Sequence, residues 1–170
     1  GRRAHGIEWD AAKAAAGAQA AAGIEGVTLV QDDLRRAALP TCDRVALVDV
    51  LHYYDAAVQR EILSRAAAAL RPGGALLIRD GDGERRGGAG FTRWVERAAV
   101  RLGWNRGPQV RFRTMVELGE DLRALGLSVT AAEVAGPLHP GNVLLIARRP
   151  RDSAEVTPAA VDAPPEVARP

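Results

Sequence analysis

Residues 44–51 read Arg-Val-Ala-Leu-Val-Asp-Val-Leu, and this stretch decides the fold class of the chain. Its apolar side chains run on continuously instead of alternating with polar ones, which is typical of a parallel strand buried on both faces. A second apolar run, Ala-Leu-Leu-Ile-Arg, occupies residues 75–79. Between the two, residues 56–70 carry apolar side chains at helical spacing, and Arg-Pro-Gly-Gly at 71–74 ends that helix sharply. The stretch therefore predicts a β-α-β unit.

Strand and helix patterns continue on both sides of this unit. The further strands are predicted at residues 4–8, 27–30, 128–134 and 143–148, and the further helices at residues 11–22, 91–102 and 115–125. The loop between the last two strands is short enough for an antiparallel pair. We predict an α/β fold with a mostly parallel sheet and an antiparallel C-terminal edge strand.

Length, composition and charge exclude several classes of protein. Of the 170 residues, 47% are hydrophobic and 26% are charged, as in ordinary globular proteins. There is no run of about 18 uncharged apolar residues and no signal-peptide pattern, so we predict neither a membrane span nor export. The net charge of +2 does not indicate a nucleic-acid-binding protein. The single cysteine, Cys42, suits a reducing compartment, and we predict a cytoplasmic location.

Two regions with different composition define the domain organisation. Residues 1–150 carry the strand and helix patterns and are predicted to form one α/β domain. Residues 151–170 are rich in proline and alanine and have no apolar period, so we predict a disordered tail there.

Acidic residues stand where the predicted strands end, which is where ligands bind to open parallel sheets. Glu8 closes the first strand, and the two acceptor oxygens of its carboxylate suit the two hydroxyls of a ribose. The alternative role for Glu8 is a carboxylate at a helix start, where the helix dipole favours it. Asp33 follows the second strand and can accept a hydrogen bond from an adenine amino group, or it is simply a solvated loop acid.

The order of these features resembles that of the class I S-adenosylmethionine-dependent methyltransferases. The resemblance spans residues 3–149. It rests on Gly-Ile-Glu-Trp-Asp at 6–10, the second strand with Asp33 at 27–34, Cys-Asp-Arg-Val-Ala-Leu-Val-Asp-Val-Leu-His-Tyr at 42–53, and Leu-Arg-Pro-Gly-Gly-Ala-Leu-Leu-Ile at 70–78. Residues 70–149 are most similar to bacterial small-molecule methyltransferases. The resemblance implies a Rossmann-like, doubly wound fold, S-adenosylmethionine as the cofactor and a small organic molecule as the methyl acceptor.

The resemblance also implies roles for individual residues. Those assigned to cofactor binding are Glu8, Trp9, Asp33, Leu34 and Asp49. His52, just past a strand end, is the candidate for the catalytic base or for the group that positions the acceptor. The alternative for His52 is packing at the start of the next helix. No metal site is predicted.

The chain departs from the family at its N-terminal end, where no strand with a glycine-rich turn precedes residues 4–8. In the family that strand lies centrally in the sheet, so its absence is expected to leave a gap with unpaired backbone groups or to force wrong strands together. We therefore expect an N-terminally truncated fragment that binds S-adenosylmethionine very weakly, and whose own activity the sequence leaves open.

Two other functions stay open. One is a non-catalytic, degenerate methyltransferase-like module that serves as an interaction partner. The other is a nicotinamide-dependent oxidoreductase, since Glu8 also suits the ribose of NAD, although no Tyr-x-x-x-Lys pair supports it.

An arginine-rich segment at residues 80–113 is predicted to form a mobile lid over the acceptor. Arg93, Arg97 and Arg101 share one helix face there and would attract an anionic or carrier-bound acceptor; a solvated arginine face is the alternative.

Overall fold

The computed structural model describes residues 1–81, 112–133 and 142–151. Its elements in chain order are β1 (Ala4–Glu8), α1 (Ala11–Ala20), β2 (Val27–Gln31), β3 (Cys42–Val48), a 3₁₀ helix (Leu51–Tyr53), α2 (Ala56–Ala69), β4 (Leu70–Gly81), α3 (Met115–Ala124), β5 (Ser128–Glu133) and β6 (Asn142–Arg148). The helix predicted at 91–102, most of the arginine-rich segment and the tail from 152 onward lie outside the described residues.

The strands form two hydrogen-bonded sheets. β1 pairs with β2 in parallel, and the second sheet has the order β3-β4-β6-β5, in which β3 is parallel to β4. Among the described residues no hydrogen-bonded pair joins β1 to β3, so of the two outcomes expected from the sequence, a gap or a pairing of wrong strands, the structure shows a gap between these strands. The α/β class with a mostly parallel strand direction is confirmed.

The last strand is antiparallel as predicted, but it does not lie at the edge. β6 pairs with β4 on one side and with β5 on the other, so that β5 is the edge strand. The side-chain chemistry agrees with this order, because Val-Leu-Leu-Ile-Ala in β6 suits an interior strand, whereas Ser128 and Thr130 give β5 exposed polar positions.

Capping side chains determine where the helices begin. Asp10 accepts hydrogen bonds from the first amides of α1, and Thr114 forms a capping box with Glu117 at the start of α3. At α2, one carboxylate oxygen of Asp55 accepts from the amides of Ala57 and Val58, both at 2.9 Å. Each cap satisfies donors that the helix itself cannot pair.

Replacing Asp55 by alanine is expected to lower the free energy of unfolding by about 0.5–2 kcal/mol, because the two amides at the start of α2 lose their acceptor. Urea denaturation followed by circular dichroism measures the change. Glu61→Ala, at an exposed position of the same helix, is the matched control and should change stability by less. Equal stability of the Asp55 variant and the parent would show that water replaces the cap without cost.

The core lies on one face of the four-stranded sheet, under α2 and α3. Its buried side chains come from both helices and three strands, and include Leu47, Ile62, Leu63, Leu76, Ile78, Leu122 and Leu145. On the opposite face of β3, Ala46 is exposed and Val48 is 52% exposed. The prediction that this strand is buried on both faces is therefore wrong. A continuous apolar run allows a strand to be buried on both faces, but the burial itself requires that other elements pack on both sides of the sheet.

The Arg-Pro-Gly-Gly segment lies within β4 and does not precede it as predicted. Leu70 already pairs with Cys42, and Ala75 pairs with Arg44, so four residues bulge out opposite one residue of β3. Gly73 has a φ of +76°, and a Cβ at Gly74 would lie 2.7 Å from a backbone oxygen. Glycine is therefore required at both positions by the shape of the bulge.

Candidate functional site

Glu8 lies at the carboxyl end of β1, next to the loop that follows β2. Glu8 pairs with Gln31 in the sheet register, and its backbone oxygen accepts from the Asp32 amide at 3.0 Å. The Oε1 atom of Glu8 accepts from the Asp10 amide at 2.9 Å, where α1 begins. Both roles that the sequence allows for Glu8 are thus compatible, because one carboxylate oxygen supports the helix start and the other adds acceptor capacity at the strand end.

The Asp33 carboxylate is held by Arg35. Its Oδ1 atom accepts from the Arg35 amide at 2.9 Å, and its Oδ2 atom accepts from the guanidinium Nη2 at 2.5 Å. These hydrogen bonds lower the pKa of the Asp33 carboxyl, although partial burial opposes the shift. Asp33 therefore stays ionised to a lower pH than an ordinary aspartate, and its carboxylate acts as a hydrogen-bond acceptor. The side chain of Leu34 packs against the core.

Asp49 turns the chain out of β3 toward the 3₁₀ helix. With a φ of +51°, it is the one non-glycine residue with positive φ in the described part of the chain. Its carboxylate forms an ion pair with the Arg79 guanidinium, and its amide donates to the Arg79 backbone oxygen at 2.9 Å. Aspartate is among the residues that tolerate this left-handed conformation. The turn carries the chain toward His52, three residues later.

His52 and Asp80 form a buried pair at the carboxyl ends of β3 and β4. The imidazole Nδ1 lies 2.7 Å from Asp80 Oδ1, and the two residues are 9% and 3% exposed. Both carboxylate oxygens also receive a backbone amide, from Gly81 at 2.8 Å on Oδ1 and from His52 at 3.3 Å on Oδ2. A carboxylate on Nδ1 favours the tautomer whose Nε2 atom is unprotonated and can accept a proton.

Aromatic rings enclose this imidazole. Phe112 stacks on it with ring centroids 4.8 Å apart, and the Tyr53 ring lies at 4.2 Å in a tilted arrangement. The sequence did not identify Asp80 as a partner of His52. The available signal was an acid at the end of one strand and a histidine at the end of the preceding strand, which are neighbours in a parallel β-α-β unit.

Tyr54 follows the 3₁₀ helix that carries His52. Partial burial raises the pKa of its phenol, and the negative charges of Asp33 and Glu8 raise it further, whereas Arg35 acts in the opposite direction. Its ring packs against the core next to the 3₁₀ helix that carries His52.

The other residues singled out in the sequence occupy varied positions. Trp9 is 51% exposed next to Glu8, and its backbone oxygen accepts from Gln31 Nε2 at 3.3 Å. His5 bonds the Thr28 hydroxyl on the two-stranded sheet, and Cys42 is a half-buried free thiol. The three arginines of the predicted lid, Arg93, Arg97 and Arg101, lie outside the described residues.

Two further properties of the described ranges bear on function. No helix in them is long and apolar enough to cross a membrane. Within the same ranges, no group of three or more histidine, cysteine or acidic side chains is arranged to hold a metal ion. An open groove of about 550 Å³ lies along the C-terminal end of α1 and β2, where it includes Ile24 and Val27 but none of the site residues above.

Comparison with known proteins identifies related sequences and folds. A family model described as an O-methyltransferase domain matches residues 4–100. No curated protein sequence matches the chain. Among solved structures, an O-methyltransferase family protein from Burkholderia thailandensis is 24% identical with a TM-score of 0.64, and the alignment covers 88% of this chain and 44% of that one.

Two further structures have the same fold. Human N-acetylserotonin methyltransferase, solved in complex with S-adenosylmethionine, is 17% identical with a TM-score of 0.64, over 87% of this chain and 41% of the human one. Magnesium protoporphyrin IX methyltransferase from Synechocystis, solved with bound S-adenosylhomocysteine, is 17% identical with a TM-score of 0.64, over 88% and 65%. This chain thus spans less than half the length of the Burkholderia and human proteins, and the likeness establishes the fold.

Proposed function

The chain belongs to the O-methyltransferase domain family, and from this premise we propose that it transfers a methyl group from S-adenosylmethionine to a hydroxyl oxygen of a small organic molecule. The observation that carries the proposal is the buried His52–Asp80 pair, whose geometry suits a general base. The carboxylates of Glu8 and Asp33 lie at strand ends of the two-stranded sheet and supply the acceptors that a bound nucleoside needs.

The described residues fit S-adenosylmethionine. Within the described residues only the Oε1 atom of Glu8 is hydrogen-bonded, so Oε2 can accept from ribose hydroxyls, and the ionised Asp33 carboxylate, shared with Arg35, can accept from the adenine amino group. The Leu34 amide, unlike those of Asp33, Arg35 and Arg36, makes none of the hydrogen bonds found within the described residues, and so can donate to an adenine ring nitrogen. The exposed indole of Trp9 offers an apolar face beside Glu8, and Asp49 remains a further candidate contact.

When bound, S-adenosylmethionine supplies an electrophilic methyl group on a positively charged sulfur. The chain's own contribution is to orient the acceptor and to take its proton. His52 Nε2 removes the proton of the acceptor hydroxyl as that oxygen is methylated, and Asp80 stabilises the imidazolium that forms. Phe112 and Tyr53 keep bulk water away from the imidazole. The proton then passes from His52 to solvent, which restores the base.

The proposal is tested by incubating the full-length protein with S-adenosylmethionine labelled in its methyl group, and with a panel of small phenols and alcohols. Detection of the labelled methyl group on an oxygen atom of an organic product, as an O-methyl ether, supports the proposal. Tight binding of S-adenosylhomocysteine without transfer to any acceptor would instead favour the non-catalytic interaction module. Two expectations from the sequence stay predictions. One is that the acceptor is anionic or carrier-bound, and the other is that the arginine-rich segment forms a lid that attracts it.

Replacing Glu8 by alanine in the intact protein is expected to weaken S-adenosylmethionine binding by about 1.5–3 kcal/mol, the range for a hydrogen bond to a charged group. Glu8→Gln keeps the shape and one acceptor, so it should lose less. Isothermal titration calorimetry measures both variants, with the exposed Glu25→Ala as the control. If Glu8→Ala binds with the parent's affinity, Glu8 serves only the start of α1.

A further inference from the structure

Arg65 ties helix α2 to the loop that follows β2. From the half-buried middle of α2, its Nη1 atom donates to the backbone oxygens of Leu34 at 2.8 Å and Arg35 at 2.7 Å. Its Nη2 atom donates to the backbone oxygen of Ala37. One guanidinium thus binds three carbonyl groups within four consecutive residues of a loop that is 28 or more positions away in sequence.

The same loop is closed on itself around Asp33. The amides of Arg36 and Ala37 both donate to the Asp33 backbone oxygen, at 2.9 and 2.7 Å, and the Asp33 amide donates to Asp32 Oδ1 at 2.7 Å. Ala37 is only 2% exposed, so the end of the loop is anchored in the interior. The Leu34 amide makes none of the hydrogen bonds found within the described residues, and a ligand at the Asp33 carboxylate shares that acceptor with Arg35.

We propose that Arg65 is a positioning residue for adenine recognition, because it holds the 32–37 loop so that an acceptor at Asp33 lies beside a donor at Leu34. This inference rests on the proposed function. The amino group of adenine donates and therefore needs an acceptor, and the adjacent ring nitrogen accepts and therefore needs a donor. Hypoxanthine, with a carbonyl and a ring N–H at the same places, presents the reverse order, so acceptor would face acceptor and donor would face donor.

The chemistry of arginine is essential to this role. Its planar guanidinium carries several donors in a fixed fork, whereas the lysine ammonium is a compact charge that cannot reach three carbonyls spread along a loop. Bonds to a charged donor are also stronger than neutral ones, and here they are partly shielded from water. Arg60 lies on the same helix but is exposed, which makes it the matched control.

The test compares S-adenosylhomocysteine with S-inosylhomocysteine, its hypoxanthine analogue, by calorimetry on the full-length protein. We expect the parent to prefer the adenine ligand by about tenfold or more, since a mismatched hydrogen-bonding edge leaves buried polar groups unpaired. Arg65→Met should raise the Kd of S-adenosylhomocysteine by about 10- to 100-fold and bring the ratio of the two Kd values close to one. Arg65→Lys should lower that ratio at least about threefold, and Arg60→Met should leave it unchanged.

The ratio separates positioning from mere stabilisation of the fold. A variant that only unfolds more readily weakens both ligands by the same factor, so an unchanged ratio in Arg65→Met would overturn the inference and leave the proposed function intact. If Arg65→Met does not fold, Arg65→Lys is measured in its place. An unchanged ratio of the two Kd values in Arg65→Lys then overturns the inference. Failure of the parent to bind S-adenosylhomocysteine at all would overturn the proposed function, and this inference with it.

Discussion

Replacing His52 by alanine is expected to lower kcat for methyl transfer by about 10²- to 10⁴-fold, the usual contribution of a positioned general base. The imidazole is buried, its Nδ1 atom is bound to Asp80 and its ring is stacked on Phe112, so the variant loses the Nε2 atom that is assigned as the base. Affinity for S-adenosylmethionine should change little, because the adenosine contacts are assigned to other strand ends.

Steady-state kinetics at saturating S-adenosylmethionine measure this effect, and calorimetry measures cofactor affinity separately. His5→Ala is the matched control, since His5 is an exposed histidine whose hydrogen bond goes to Thr28 on the two-stranded sheet. A His52 variant with the parent's kcat would assign His52 to packing at the start of α2, which was the alternative role open from the sequence.

Replacing Asp80 by asparagine is expected to lower kcat by a similar factor and also to lower the free energy of unfolding by about 1–3 kcal/mol. Both carboxylate oxygens accept backbone amides, from Gly81 on Oδ1 and from His52 on Oδ2. An asparagine has one oxygen, so its NH₂ group must face a backbone N–H donor at one of these positions. The amide can also donate to Nδ1 and thereby place the imidazole proton on Nε2, where it blocks the base.

Three measurements separate these effects of Asp80→Asn. Urea denaturation gives the stability change, kinetics give kcat, and nitrogen NMR of the imidazole gives the tautomer of His52. Asp43→Asn is the control, because Asp43 is exposed on β3 and its ion pair with Arg71 is long, at 3.4 Å. If kcat and the tautomer are those of the parent, Asp80 is a structural acceptor for the two amides and has no role in the proton transfer.

The sequence predicted most elements within a few residues because the signals for them are local. Helix α2 begins at its aspartate cap and ends before Arg-Pro-Gly-Gly, and both features act over one turn of chain. Two predictions were wrong: β3 was expected to be buried on both faces but is exposed on one, and β6 was expected at the edge of the sheet but lies inside it. Neither follows from a local pattern, since each depends on which distant element packs alongside.

The site shows the same division between local and distant interactions. Glu8, Asp33 and His52 could be selected from the sequence because parallel strands place their carboxyl ends at one edge of a sheet, so that any polar residue following a strand is a candidate. The partners of these residues could not be selected. Asp80 meets His52 from 28 positions away, and even the local pair of Arg35 with Asp33 depends on a turn that the strand pattern does not encode.

By itself, the sequence determined the α/β class, the order of strands and helices and the strand-end acids, because period, caps and turns act between residues a few positions apart. Only the tertiary structure decided that Asp80 meets His52 and that Arg65 binds the loop after β2. These contacts join residues 28 or more positions apart in the chain. Their geometry depends on strand register and on the packing of α2 against the sheet, which no stretch of sequence specifies alone.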